Sequence, residues 1–216
     1  MIVAPSILAA DKNHLFEEAS KMVDLGVKFI HIDIMDGKFV KNTTWDSKVV
    51  SSLKGIDAVL DTHLMVVDPY KKIDSFAKAG SNVITVHYEA FDNDEDLIKT
   101  LKYIASKGIT PGLSIKPKTE ASAIEPFLPY VGLVLVMSVE PGEGGQSFMM
   151  DALDKIAFFK KKKEELHLDY LIEVDGGINL ETGTLCAKEG ADIRVSGTYF
   201  FGHEDYKERV RGMTAL

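Results

Sequence analysis

A short apolar run, a polar or glycine-bearing turn and an amphipathic stretch recur eight times in this 216-residue chain. This repeat constrains the fold more than any other feature of the sequence. The strand-like runs fall at about 2–8, 29–35, 59–65, 82–88, 111–115, 132–139, 170–175 and 193–198. The helix-like stretches fall at about 12–25, 46–54, 69–79, 94–107, 120–127, 151–166, 181–189 and 203–212, with 46–54 the weakest because it is short and carries Ser51 and Ser52. Gly26, Gly80, Gly108 and Gly190 stand where a helix must hand over to the next strand, a position that favours a residue free to adopt positive φ. The strands are rich in Val, Ile and Leu, as expected of a parallel sheet covered on both faces. Eight such units in a chain of this length predict an α/β fold, a closed (β/α)₈ TIM barrel, with a doubly wound open sheet as the competing architecture. No linker or low-complexity tract interrupts the pattern, and 45% hydrophobic residues suffice for one substantial core, so a single barrel domain is expected over 1–216.

Charge and cysteine content narrow the partners. A net charge of −8 argues against broad nucleic-acid binding, and Lys160-Lys161-Lys162-Lys163, followed by Glu164-Glu165, reads as the solvated face of a helix. The single cysteine, Cys186, allows no intrachain disulfide and reads as a small filler on a helix. No apolar run approaches the ~18 residues of a membrane span, and the start, Met1-Ile2-Val3-Ala4-Pro5-Ser6, lacks the pattern of a signal peptide. A cytoplasmic protein with no membrane partner is expected.

In a barrel of this kind, residues late in the strands gather at one rim, where active sites form. Side chains alternate along a strand, so His31, Asp33 and Met35 share one face, Asp61, His63 and Met65 another, and Glu173 and Asp175 a third. Two imidazoles and two carboxylates converging in an apolar interior are costly unless paired or metal-bound. His31, Asp33, His63 and Asp175 are therefore the candidate ligands of one divalent metal per subunit, zinc first, with iron(II), manganese or cobalt also compatible. A buried hydrogen-bond network is the competing reading of the same four residues. Asp33 and Asp175 come from different sectors of the rim, so one could remove a carbon-bound proton and the other return one from the opposite side, which inverts a stereocentre. Met35, Met65 and Met137 are candidates for an apolar cap over a planar intermediate, against the plainer reading of barrel filling.

The other half of the rim reads as an anion cradle. Pro141-Gly142-Glu143-Gly144-Gly145-Gln146 follows strand 6, Gly176-Gly177 follows strand 7 and Ser196-Gly197-Thr198 ends strand 8. Glycine lets backbone N–H groups approach an anion closely, and the last loops of such barrels often hold phosphate. Together the halves point to a small phosphorylated sugar. Lys116, ending strand 5, is the candidate for imine chemistry but reads better as a solvent-facing lysine. His87, late in strand 4, reads as a core histidine in preference to a site residue.

The segments Ala4-Pro5-Ser6-Ile7-Leu8, His31-Ile32-Asp33-Ile34-Met35-Asp36-Gly37, His63-Leu64-Met65, Val136-Met137-Ser138-Val139, Gly144-Gly145-Gln146 and Glu173-Val174-Asp175-Gly176-Gly177-Ile178-Asn179 together resemble the ribulose-phosphate 3-epimerase family. The resemblance implies the (β/α)₈ barrel, His31, Asp33, His63 and Asp175 as metal ligands, Asp33 and Asp175 as the acid–base pair, and Ser6, His63 and the glycine loops as holders of substrate. It implies interconversion of D-ribulose 5-phosphate and D-xylulose 5-phosphate, with zinc, iron(II) or manganese, in a homo-oligomer (dimer or hexamer). A hexulose 6-phosphate such as D-allulose 6-phosphate is the nearest alternative substrate, and a silent sugar-phosphate-binding protein the alternative of another class. Related barrels carry Asp-x-Lys-x-x-Asp on a strand; here Met35 stands at the lysine position. The chain departs from the family pattern at Lys41, usually proline, at Thr43-Thr44-Trp45-Asp46, usually a Gly-Pro turn, and at Glu143, usually phenylalanine. A carboxylate beside a phosphate is repulsive unless it turns outward, so at Glu143, a candidate substrate-binding position, either the loop presents only backbone or the site has changed. Arg194, where aliphatic residues are usual, is expected to pair with Glu173, since an unpaired buried arginine is severely costly.

Overall fold

The computed structural model describes residues 2–215. Eight parallel strands, β1 (Ile2–Pro5), β2 (Phe29–Met35), β3 (Val59–Met65), β4 (Val83–His87), β5 (Thr110–Ile115), β6 (Leu133–Met137), β7 (Leu171–Asp175) and β8 (Ile193–Ser196), lie in the order β1-β8-β7-β6-β5-β4-β3-β2. Pairing of β1 with β8 rules out the doubly wound sheet, and a parallel bridge between Ser6 and His31 joins β1 to β2. The sheet thus comes round on itself as a TIM barrel.

Seven α-helices surround it: α1 (Leu15–Val23), α2 (Lys48–Ser52), α3 (Ile73–Ala79), α4 (Asp94–Ser106), α5 (Ala152–Glu165), α6 (Leu180–Glu189) and α7 (Tyr206–Thr214). The expected helix over 120–127 is instead a 3₁₀ segment, Ala121–Tyr130, containing Pro126 and Pro129. Proline lacks the N–H that an α-helical turn requires, and its ring clashes with the preceding turn. α2 is a five-residue helix, as its serines foretell. The expected strand 2–8 stops at Pro5, and Ser6 caps a 3₁₀ turn over Ile7–Ala9. Gly80 and Gly190 end α3 and α6 with φ of 113° each.

Alternation sorts the side chains into two layers. The larger core fills the space between strands and helices, while Ala4, Val83, Leu133, Leu135, Met137, Ile193 and Val195 pack the barrel interior. His31, Asp61 and Glu173 also lie in this interior, each fully buried. Arg194 corrects the sequence reading. Its register partners are Val3 and Val174, whereas Glu173 is paired with Ile193, so Arg194 leaves the sheet on the opposite face from Glu173. It is buried under α6 and α7, where Nη2 donates to the Met213 carbonyl at 2.9 Å. Cys186, beside it on α6, is a buried filler as expected.

Candidate active site

Strand register sets the geometry of the rim. Asp33 lies level with His63 and Met35 with Met65 on β2 and β3, while Met137 lies level with Asp175 on β6 and β7. One ligand-type atom from each of His31, Asp33, His63 and Asp175 falls within 4.8 Å of every other. Asp33 is at the hub. Its Oδ1 stands 3.0 Å from His63 Nδ1 and 3.3 Å from His31 Nε2, and its Oδ2 accepts the Ser6 hydroxyl at 2.7 Å. Thr44 pins the backbone here, its hydroxyl donating to the Asp33 carbonyl at 2.7 Å and accepting the Met35 N–H at 2.9 Å.

The residues fit a divalent cation. His31 Nε2 is buried with no hydrogen-bond partner, although Nδ1 of the same ring is held by Asp61 Oδ2 at 2.6 Å. Asp61 thereby turns the unpartnered Nε2 toward the cluster, the usual way a carboxylate orients a metal-binding imidazole. Two donors each about 2.0–2.2 Å from one ion stand ~3 Å apart, which is the spacing of the Asp33 and histidine atoms. Zinc and the other divalent first-row ions accept such a mixed imidazole and carboxylate set.

The two rim carboxylates are driven in opposite directions. Burial works against ionisation of Asp33, but His31 and then His63 outweigh it and hold Asp33 well below the usual carboxylate range. Burial, and after it the charge of Asp33, lifts Asp175 to about 6. Deeper in the barrel, burial and the neighbouring Asp61 push Glu173 well above its ordinary value, so that it favours the neutral acid.

A cleft of about 800 Å³ opens over these residues and contains most of the expected site. Ser6, Asp33, Asp175 and the three methionines Met35, Met65 and Met137 line its floor; Gly142, Glu143, Gly144, Gly145, Gly176, Gly177, Gly197 and Thr198 line the far wall. Among the described residues, the N–H groups of Gly177, Gly197 and Thr198 donate to no backbone carbonyl, leaving them free for an anion. Gly176 (φ 120°) and Gly177 (φ 63°) are required to be glycine, since a Cβ would sit 2.5 Å from Val139 Cγ2 in one case and from Phe148 N in the other. The loop after β6 is stapled by Gln146, whose amide donates to the carbonyls of Glu140 (2.7 Å) and Glu143 (2.9 Å). Glu143 itself is exposed at the mouth of the cleft.

Two placements differ from expectation, those of His63 and His87. His63 is fully buried and does not line the cleft; its ring faces Asp33 on one side and His87 on the other, which leaves no nitrogen for a substrate. His87, read as a core residue, sits against the cluster, with Nε2 2.8 Å from His63 Nε2. Lys116 is away from the cleft, its ammonium 4.0 Å from the Phe39 ring centroid. Two contributors escaped the sequence reading. Glu89 accepts hydrogen bonds around His87, and the His-x-Glu spacing at the end of β4 was its available signal. Arg209 of α7 lines the glycine end of the cleft, with Nε on Asp205 at 2.8 Å and Nη1 donating to the Tyr199 carbonyl at 3.1 Å; no motif announces it.

Fold and site together define a (β/α)₈ barrel with a cluster of cation-type ligands at one side of the rim and glycine-rich loops with free N–H groups at the other. Comparison with known proteins gives the class a family. The model of the ribulose-phosphate 3 epimerase family matches residues 2–201, and the chain belongs to that family. It is thereby an isomerase acting on carbohydrate phosphates. It is 39% identical over 215 residues to the ribulose-phosphate 3-epimerase of Schizosaccharomyces pombe, covering 98% of this chain and 91% of that protein. It is 42% identical over 216 residues to the cytoplasmic isoform of Oryza sativa subsp. japonica, covering 98% and 92%. A solved 3-keto-L-gulonate-6-phosphate decarboxylase from Vibrio cholerae superposes with a TM-score of 0.71 over 100% of this chain and 95% of that one, at 14% identity, and shows the shared barrel alone. No helix of the described residues is long and apolar enough to cross a membrane.

Proposed function

We propose that the protein inverts C3 of a ketose phosphate, converting D-ribulose 5-phosphate to D-xylulose 5-phosphate and back by two-base proton transfer. The observation that carries the reading is the pair Asp33 and Asp175, on strands from different sectors of the rim, with opposite protonation tendencies around one cluster of cation-type ligands. Pairs of carboxylates held apart in this way divide acid and base roles between them. Asp33, kept ionised, takes the C3 proton from one face of the sugar. Asp175, which carries a proton more readily, delivers one to the other face, and the roles reverse in the return direction.

His31, Asp33, His63 and Asp175 would hold one divalent cation, zinc first among the compatible ions. Bound there, such an ion supplies a Lewis acid that stabilises negative charge on the sugar's carbonyl and hydroxyl oxygens. Met35, Met65 and Met137 cover the flattened carbon with polarisable thioethers and keep water from it. The free N–H groups of Gly177, Gly197 and Thr198 receive the phosphate, with Arg209 adding positive charge at that end. Ser6 acts through Asp33, holding its carboxylate in position.

The relatives' names support the five-carbon substrate. The test is incorporation of solvent deuterium at C3 during turnover of ribulose 5-phosphate, set against allulose 6-phosphate, by protein reconstituted with zinc, manganese or iron(II). Exchange and product formation on ribulose 5-phosphate support the reading. Preference for allulose 6-phosphate would move it to a hexulose epimerase, and absence of exchange on both would leave a sugar-phosphate-binding protein. Self-association rests on the family resemblance, and a cytoplasmic setting on the single cysteine.

A further inference from the structure

The His63 ring has two nitrogens, and the proposed ion needs one of them, Nδ1, without a proton. On its far side His63 Nε2 lies 2.8 Å from His87 Nε2. Two ring nitrogens facing each other at that distance share one proton, and either ring could own it. The choice is made one residue further out. His87 Nδ1 lies 3.2 Å from Glu89 Oε2, while Glu89 Oε1 accepts the N–H of Lys116 at 2.7 Å and the hydroxyl of Thr119. A backbone N–H can only donate, so Glu89 meets its neighbours as an acceptor.

The consequence runs inward. Glu89 takes the proton on His87 Nδ1, His87 Nε2 is left bare and accepts the His63 Nε2 proton, and His63 Nδ1 is left bare toward Asp33. We propose that His87 and Glu89 are positioning residues that fix the tautomer of His63, so that it offers a lone pair to the cation. The relay rests on the metal reading of the cluster, because without an ion the Asp33 carboxylate, 3.0 Å from His63 Nδ1, competes with Glu89 for the shared proton. His87 and His63 are both fully buried, so no bulk water intrudes to reverse the order. The Phe39 ring, 4.9 Å from that of His87, closes one side. Lys155 anchors the outer end by donating to the Lys116 carbonyl at 3.2 Å and the Pro117 carbonyl at 2.6 Å, which holds the loop that satisfies Glu89. His31 reaches the same state by a shorter route, directly through Asp61.

The experiment is ring-nitrogen NMR on protein labelled with ¹⁵N-histidine, metal-free and zinc-loaded, with Glu89→Gln alongside. In the zinc form His87 is expected to carry its proton on Nδ1 and none on Nε2, while His63 shows a protonated Nε2 and a metal-bound Nδ1; the metal-free spectrum gives the reference. Glutamine keeps an oxygen for Lys116 and Thr119 but turns its NH₂ on His87 Nδ1, which forces that ring to protonate at Nε2 and oppose His63. Zinc affinity, read by chelator competition, should then fall about 10–100-fold, as for other residues that orient metal-binding histidines. Turnover should return at saturating zinc. A zinc-loaded wild type with His87 protonated on Nε2, or unchanged zinc affinity in folded Glu89→Gln, would overturn the relay. Should the wild type take up no zinc, the metal reading fails and the relay with it; zinc uptake with the wrong His87 tautomer overturns the relay alone. Should Glu89→Gln fail to fold, the wild-type spectra decide it.

Discussion

The two sides of the cleft are made of different material. One is built from ionisable side chains, chiefly on β2 and β3, buried and bonded to one another, His31 to Asp61, His63 to Asp33 and His87, Asp33 to Ser6, with the half-buried Asp175 of β7 beside them. The other is built from backbone, in the loops after β6, β7 and β8, where glycine conformation and free N–H groups leave side-chain identity little to do. The difference teaches that a barrel can divide its labour between recognition and reaction. A phosphate is the same on every substrate and can be held by main chain, whereas proton transfer needs groups whose charge the surroundings can tune.

Substitutions should separate the halves by the quantity they disturb. The largest effect is expected from Asp175→Asn, which removes one of the two proposed proton carriers and should cut kcat by ~10³-fold or more while circular dichroism remains that of the folded barrel. Near-normal turnover would break the division at its catalytic end. Gly177→Ala, on the backbone side, should cost about 1–3 kcal/mol in a urea melt and raise KM for the sugar phosphate, because alanine must adopt φ 63° and displace Phe148 N. Its zinc affinity should not change.

A third test uses the sign of the Asp175 shift. The folded protein lifts this carboxyl from 3.8 to about 6, so its ionisation weakens the fold above that pH. Below the unfolded value, where both states are protonated, the penalty is gone. Metal-free Asp175→Asn should therefore be more stable than metal-free wild type at pH 8, and the gap should close as pH falls from about 6 toward 3.8. A gap that widened on acidification would reverse the assignment. The smallest effect belongs to Glu143→Phe. The exposed carboxylate at the cleft mouth should change KM by about threefold or less and leave kcat untouched, since an exposed charge is well screened.

The sequence is legible where chemistry and period coincide. His31, Asp33 and His63 sit at alternate positions of apolar strands, so their faces follow from counting, and the structure brings them together with Asp175. Counting should also have placed Arg194, since it alternates with Ile193 and Val195 and so faces away from Glu173; the cost of an unpaired arginine drew attention from the period. The prolines at 126 and 129 likewise outweigh an amphipathic pattern that resembles a helix. What sequence could not supply was partnership between strands. That His87 meets His63, and that Glu89 meets the loop after β5, depends on register and on a loop held by Lys155 from a distant helix. Arg209 enters the cleft through tertiary packing alone.

The bridge between Ser6 and His31 has a mechanical meaning as well. It is the seam where the first stave meets the second, and the serine there also grips the carboxylate at the hub of the cluster. An ion taken up by residues of the second, third and seventh staves would act as a hoop, drawing the cask shut across its thinnest joint. Amide protons along that joint should exchange with solvent more slowly once the ion is in place, which ties the endurance of the fold to the readiness of the site.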